Sequence, residues 1–149
     1  MKRVKEYRTL FAAEPKSTLK ELKTTYRNLV KEWHPDKFQA DDEKAAEAEE
    51  MGRKIIDAYH FLVSIAPETR EKYQEEYTET INTSGIADFQ YKNLRLEITF
   101  LDGTTYEYFG VPRNVYVKMC QSDKLTRFAK RNVFTSYLYR KSKKSMETV

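Results

Sequence analysis

The sequence predicts a mainly α protein with a small α+β unit behind it: a four-helix domain built round an antiparallel helical hairpin, then a β-β-α-α-β domain. Three observations carry this. Apolar residues recur at helical spacing through the first half, strand-like alternation appears only after residue 93, and the charge changes sign between the halves. Residues 1–80 carry 15 Lys/Arg against 17 Asp/Glu, net −2, whereas residues 81–149 carry 12 against 6, net +6. Turn-forming residues cluster at Thr80-Ile81-Asn82-Thr83-Ser84-Gly85, where a break is expected. The expected organisation is a helical domain over 1–78, a linker over 79–85, an α+β domain over 86–140 and a basic flexible tail over 141–149.

The first helix has Val4, Tyr7, Leu10 and Phe11 on one face and ends at Glu14-Pro15-Lys16-Ser17. Thr18 followed by Glu21 forms a capping-box pattern that opens the second helix. Leu19, Leu22, Tyr26, Leu29, Val30 and Trp33 share its apolar face. At about 100° per residue, Lys20, Lys23, Arg27 and Lys31 form a basic stripe alongside. The helix must stop at His34-Pro35-Asp36, because proline disfavours helical conformation in the residue before it. Asp41-Asp42-Glu43 is an acidic opening for a long third helix, whose apolar positions are Ala48, Met51, Ile55, Ala58/Tyr59 and Leu62. A loop is expected over 63–66, then a fourth helix over 68–77 with Pro67 in its first turn. Two long helices joined by a short connection should pack as an antiparallel hairpin with the His-Pro-Asp turn at its tip.

These residues resemble the J-domain (DnaJ-like) co-chaperone family over roughly residues 3–77. The resemblance is carried by Tyr7-Arg8-Thr9-Leu10, Tyr26-Arg27-Asn28-Leu29, His34-Pro35-Asp36-Lys37, Ile55-Ile56-Asp57-Ala58-Tyr59 and Pro67-Glu68-Thr69-Arg70. It implies that His34, Pro35 and Asp36, with Lys20, Lys23, Tyr26, Arg27 and Lys31, engage a DnaK-type heat-shock chaperone and accelerate its ATP hydrolysis. The physics of the residues suits docking. Pro35 fixes a backbone dihedral, Asp36 offers a carboxylate to a partner arginine, and His34 can bond within the turn. The stripe can steer an acidic partner; without the tripeptide beside it, the stripe reads as an ordinary solvated helix face. Asn28 and Glu32 depart from the family's pattern, standing where basic residues are common.

In the second half Leu94, Leu96, Ile98 and Phe100 alternate with polar residues as a strand, and Asp102-Gly103 reads as a two-residue hairpin turn. Thr104–Phe109 returns as a second strand. Gly110-Val111-Pro112 then opens a helix to about Gln121, with Ser122 or Asp123 capping another that carries Leu125, Phe128 and Ala129. Val133–Tyr139 reads as a third strand. The stretch Leu94–Phe100, Tyr106-Glu107-Tyr108-Phe109 and Val111-Pro112 with Val115-Tyr116 is similar to the KTSC domain, named for the C-termini of some lysyl-tRNA synthetases. That family's later serine–glycine–aromatic pattern lacks its glycine in Ser122–Phe128.

Lys124, Arg127, Lys130, Arg131, Arg140, Lys141, Lys143 and Lys144 are opposed after residue 123 only by Glu147. With Tyr137 and Tyr139 exposed among them, they would form a phosphate-binding face with stacking rings, so RNA or another nucleic acid is the partner in a second reading. In that reading the J-like part is a scaffold. In a bland one the tail is solubilising and the tyrosines pack. A third reading has the aromatic sheet around Tyr106, Tyr108 and Phe109 meeting a partner protein.

Several classes are set aside. The longest apolar run, near Phe61–Ala66, is broken by Ser64, so no membrane partner is expected. The basic start, Met1–Glu6, has no apolar stretch behind it, and a secretory signal is not expected. Cys120 is the single cysteine, which suits a reducing cytoplasm. Two histidines and one cysteine at no ligand spacing argue against a metal site, four isolated glycines against a phosphate loop, and no nucleophile stands in a recognisable setting. No cofactor and no enzymatic activity are expected. The leading expectation is a cytoplasmic co-chaperone whose second domain recruits a client protein or fixes a location.

Overall fold

The computed structural model describes residues 2–38 and 42–142, apart from the side chains of Pro35 and Asp42. The chain divides into two compact units between Arg70 and Glu71. The first holds α1 (Lys2–Phe11), α2 (Leu19–Glu32), a 3₁₀ turn (Pro35–Phe38), α3 (Asp42–Ile65) and the start of α4 (Pro67–Lys72). Thr18 caps α2 as its spacing predicts: Thr18 Oγ1 accepts the Glu21 N–H and donates to Glu21 Oε1, both at 3.1 Å. Glu68 Oε1 accepts the orphan N–H of Leu19 at 2.9 Å. That bond ties the start of α2 to residues just past the end of α3, and Tyr26 stacks on Tyr59 with centroids 4.3 Å apart. The two helices therefore run antiparallel, as expected. The core lies between α1, α2 and α3, where Val4, Phe11, Leu22, Ile55, Ala58, Phe61, Leu62 and Ile65 are buried.

Two expectations on this unit change. Residues 63–65, read as part of a loop, finish α3, so Ala66 alone separates α3 from α4. The predicted helix over 68–77 is two helices, broken at Tyr73 (φ −104°, ψ 14°). The acidic opening residue Asp41 lies outside the described residues.

The second unit begins with α5 (Gln74–Thr83), which occupies five of the residues expected as linker. Turn-forming composition suggested a loop there, yet Tyr77, Thr80 and Ile81 form an i, i+3, i+4 stripe that is buried. Tertiary burial overrides local propensity at this point. Four strands follow as an antiparallel sheet in the order β1 (Ile86–Lys92), β2 (Arg95–Phe100), β3 (Thr105–Phe109), β4 (Leu138–Lys141), with α6 (Arg113–Gln121) and α7 (Leu125–Asn132) between β3 and β4. The α+β class stands, with one strand added at the front. β1 escapes sequence detection because its inward positions are only Ile86, Phe89 and Tyr91 on a mostly exposed edge, and a register shift between Ile86 and Asp88 breaks their alternation. The third predicted strand shortens to β4: Val133 and Phe134 instead leave the end of α7 and plug the core, their N–H groups both donating to Ala129 O.

The two hairpins also differ from expectation. Lys92 pairs with Arg95 across Asn93-Leu94, both at positive φ (52° and 65°), the pattern of a type I′ turn. Asn tolerates that conformation, whereas Leu is strained by roughly 1–2 kcal/mol. Leu94→Gly is therefore expected to raise the urea midpoint of this unit, by about 1 kcal/mol of stability; an unchanged or lower midpoint would contradict the assigned turn. Between β2 and β3 the loop is Leu101-Asp102-Gly103, closed by Phe100 N–H to Thr104 O at 2.8 Å, with Gly103 at φ 90°.

The two sheet faces carry different chemistry. On one face Leu96, Ile98, Phe100, Tyr106 and Tyr108 pack with Met119, Ala129, Val133, Phe134 and Tyr77. Tyr77 donates its hydroxyl to Phe134 O at 2.7 Å, so the 2.9 Å bond between the Tyr77 and Tyr108 hydroxyls must be donated by Tyr108. Burial pushes the phenols of Tyr77 and Tyr108 upward, keeping both neutral donors. The opposite face carries Glu97 and Glu107, both buried and directly paired across the strands. Arg95 bonds both carboxylates at 2.6–2.7 Å, and Arg140 bonds Glu107 at 3.2 Å. Burial alone would raise the Glu107 carboxyl; the Arg95 bond and the Arg140 and Arg95 charges outweigh it and hold the group below the usual range.

Candidate functional site

α2 delivers a short, stiffened turn at its C-terminus. The helix ends at Glu32, and Trp33 closes it with its N–H on Leu29 O at 3.0 Å. His34 follows outside the helix, and Pro35 opens the 3₁₀ turn, where its fixed φ suits the first position. His34 braces the turn twice. Its carbonyl accepts the Lys37 N–H at 3.0 Å, and its Nδ1 accepts the Asp36 N–H at 3.2 Å. A nitrogen that accepts carries no proton, so the 3.4 Å separation of Nδ1 from Asp36 Oδ2 is proximity and not an ion pair in this arrangement. The imidazole proton then sits on Nε2, pointing away from the brace. Asp36 keeps 74% of its side chain exposed and His34 50%, so the turn is rigid and accessible together.

One pair of residues that the sequence reading passed over contributes here. Trp33 and Phe38 stack across the tripeptide with centroids 6.2 Å apart. An aromatic immediately on each side of a Pro-containing turn was the available signal.

Lys20, Lys23, Arg27 and Lys31 are all exposed along α2 and lead to the turn. Among the described residues none of them forms an ion pair, so the stripe keeps its positive field. Tyr26 differs from its neighbours: half-buried, it holds the α2–α3 seam through its stack on Tyr59. Asn28 and Glu32 are exposed on the same helix.

The residues expected at a nucleic-acid face are scattered by the fold. Arg140 is 11% exposed and bound to Glu107, and Lys141 pairs with Glu76 at 2.8 Å. Both are committed within the unit. Tyr139 stacks on Tyr77 at 3.9 Å, and Tyr137 packs against the core, so neither ring stands out as a platform. Tyr106, Tyr108 and Phe109 are buried, which removes the exposed aromatic sheet of the third reading. Lys143 and Lys144 lie outside the described residues. Lys124, Arg127, Lys130 and Arg131 remain exposed on or beside α7.

No helix among the described residues is long and apolar enough to cross a membrane. No group of three or more His, Cys, Asp or Glu among them could hold a metal ion.

A helical hairpin with an exposed His-Pro-Asp turn at the end of a basic helix defines a class, and comparison with known families agrees. Residues 6–74 match the DnaJ domain, and residues 82–137 match the KTSC domain. The chain is thus similar to J-domain proteins over its first half and to the KTSC domain over its second. Over 85 residues it is 36% identical to a DnaJ homolog subfamily A member 1 homolog of Dictyostelium discoideum, covering 57% of this chain and 18% of that one. It is 36% identical over 72 residues to the chaperone protein DnaJ of Thermotoga sp. (strain RQ2), covering 48% and 18%. To the chaperone protein DnaJ of Thermoplasma acidophilum it is 32% identical over 81 residues, covering 54% and 21%. The chain thus spans about a fifth of the length of these relatives.

Proposed function

We propose that this protein is a co-chaperone that docks on a DnaK-type heat-shock chaperone and stimulates its ATP hydrolysis. The observation that carries the reading is the turn at His34–Asp36: braced by its own backbone and by His34 Nδ1, exposed at Asp36, and approached by four exposed cations on α2. A rigid exposed carboxylate can take a two-pronged bond from a partner arginine with little ordering cost. The α2 cations supply steering and register. Nothing about this arrangement performs chemistry itself; it presents a surface, and the chaperone performs the hydrolysis.

In this reading residues up to Arg70 form the docking unit, and those from Glu71 form the unit that selects a client or a location. The cytoplasm is the compartment proposed, on the lone exposed Cys120. Neutralising the stripe tests the docking surface. With Lys20, Lys23, Arg27 and Lys31 all changed to Gln, association with a DnaK-type chaperone should slow by at least about tenfold at low salt and lose most of its salt dependence. Unchanged association with unchanged salt dependence would show that the stripe is only a solvated helix face.

A further inference from the structure

We propose that α7 is a nucleic-acid-binding element that grips the phosphodiester backbone through Lys124, Arg127, Lys130 and Arg131. Every exposed residue of α7 except Asn132 is a cation, and Lys124 adds a fourth at the N-cap. At about 100° per residue these four fall on one continuous outer face, opposite buried Ala129 and half-buried Leu125, with half-buried Phe128 at its edge. Among the described residues none of the four side chains makes an ion pair or a hydrogen bond; Lys124 donates only its backbone N–H, to Ser122 Oγ at 3.2 Å.

Part of that arrangement works against the helix. Arg127 repels Lys130 at i, i+3 and Arg131 at i, i+4. Lys124 places a positive charge at the positive end of the helix dipole, in a cap position that makes no side-chain bond. Lys130 and Arg131 suit the last turn, where the dipole favours cations, but the Arg127 repulsion and the Lys124 charge at the N-cap stand uncompensated, and a closely spaced row of anions would relieve them. Asp123 is the only acid between Glu107 and Glu147, so the chain offers little neutralising charge nearby in sequence.

The same face identifies the anion. A bilayer-surface helix needs an apolar side to sink among the headgroups, and the apolar residues of α7 are turned into its own core. A protein interface centres on buried aromatic or arginine anchors seated in pockets, and the outer face offers cations alone, with no exposed aromatic among them and no rigid turn of the kind α2 leads to. Phosphates spaced along a strand need only cations, and guanidinium forks suit them. Cations on phosphates carry no base information, so binding should be indifferent to sequence.

The test uses the full chain and a fluorescein-labelled 20-nucleotide single-stranded RNA, with DNA of the same sequence as a second arm, followed by anisotropy from 50 to 200 mM salt. Wild type should bind, with affinity falling steeply as salt rises. A triple Arg127→Gln, Lys130→Gln, Arg131→Gln variant should bind at least about tenfold more weakly at 50 mM, its log–log salt slope reduced by about 2, or about 0.7 per cation. A second triple variant, Lys2→Gln, Lys5→Gln, Lys16→Gln, removes equal charge elsewhere and should keep the slope. Equal binding of RNA and DNA identifies the phosphates alone as the target, and preference for RNA adds contacts to the 2′-hydroxyl. An unchanged slope in the first variant would overturn the proposal. So would equal loss in both variants, no binding of either nucleic acid, or equal affinity for polyglutamate or phosphatidylserine vesicles. None of these outcomes depends on chaperone docking.

Discussion

Tyr77→Ala is expected to destabilise the unit from Glu71 onward by about 3–5 kcal/mol, the range for removing a large buried aromatic. Tyr77 is 2% exposed, stacks on Tyr139 at 3.9 Å and meets Tyr106 edge-on at 5.0 Å. It is also the acceptor for Tyr108 and the donor to Phe134 O, so the substitution leaves a cavity and two buried polar groups unsatisfied. Tyr77→Phe separates the terms: it keeps the ring and should cost about 1–3 kcal/mol from the lost hydroxyl alone. Amide exchange in β2 and β3 reads the effect directly. For Tyr77→Ala it should accelerate by on the order of 10²–10⁴, since each factor of ten is about 1.4 kcal/mol. Unchanged protection in these strands would mean that α5 is not part of the fold it touches. This bears on where the second module begins, because the DnaJ match ends at residue 74 and the KTSC match starts at 82. Tyr77 falls between them.

Much of the first unit was legible in the sequence because its signals are local. The Thr18/Glu21 cap, the heptad-like apolar positions of α2 and α3 and the proline after His34 each act within a few residues, and each is found where it points. The second unit was less legible because long-range packing decides its elements. The second half of α5 reads as a linker until the fold buries Thr80 and Ile81. β1 is an edge strand with one face open, so its alternation is faint. Its turn, Asn93-Leu94, carries a leucine where the usual signal is glycine. The basic residues show the same limit. Charge counts could place eight cations near the C-terminus, but only the fold shows Arg140 and Lys141 committed to Glu107 and Glu76 while α7 stays open.

His34→Gln should abolish chaperone stimulation while leaving the first unit folded. Glutamine keeps a polar side chain of similar reach, yet lacks the ring nitrogen that accepts the Asp36 N–H at 3.2 Å, so the turn loses one of its two braces. Asp36 would then have to be ordered on docking, and the pre-organisation that makes a two-pronged contact effective would be lost. Stability should change little, because His34 is half exposed and is not one of the buried core residues. Trp33 reports this independently: it is the only tryptophan and sits beside the turn, so its fluorescence should keep the wild-type urea midpoint.

Single-turnover ATP hydrolysis by a DnaK-type chaperone, measured alone, with the wild-type protein and with the His34→Gln variant, tests the central claim most directly. Acceleration by the wild type and none by the variant is the predicted result. Equal acceleration by both would contradict the role given to the tripeptide, and no acceleration by a folded wild-type protein on a competent chaperone would contradict the co-chaperone function itself.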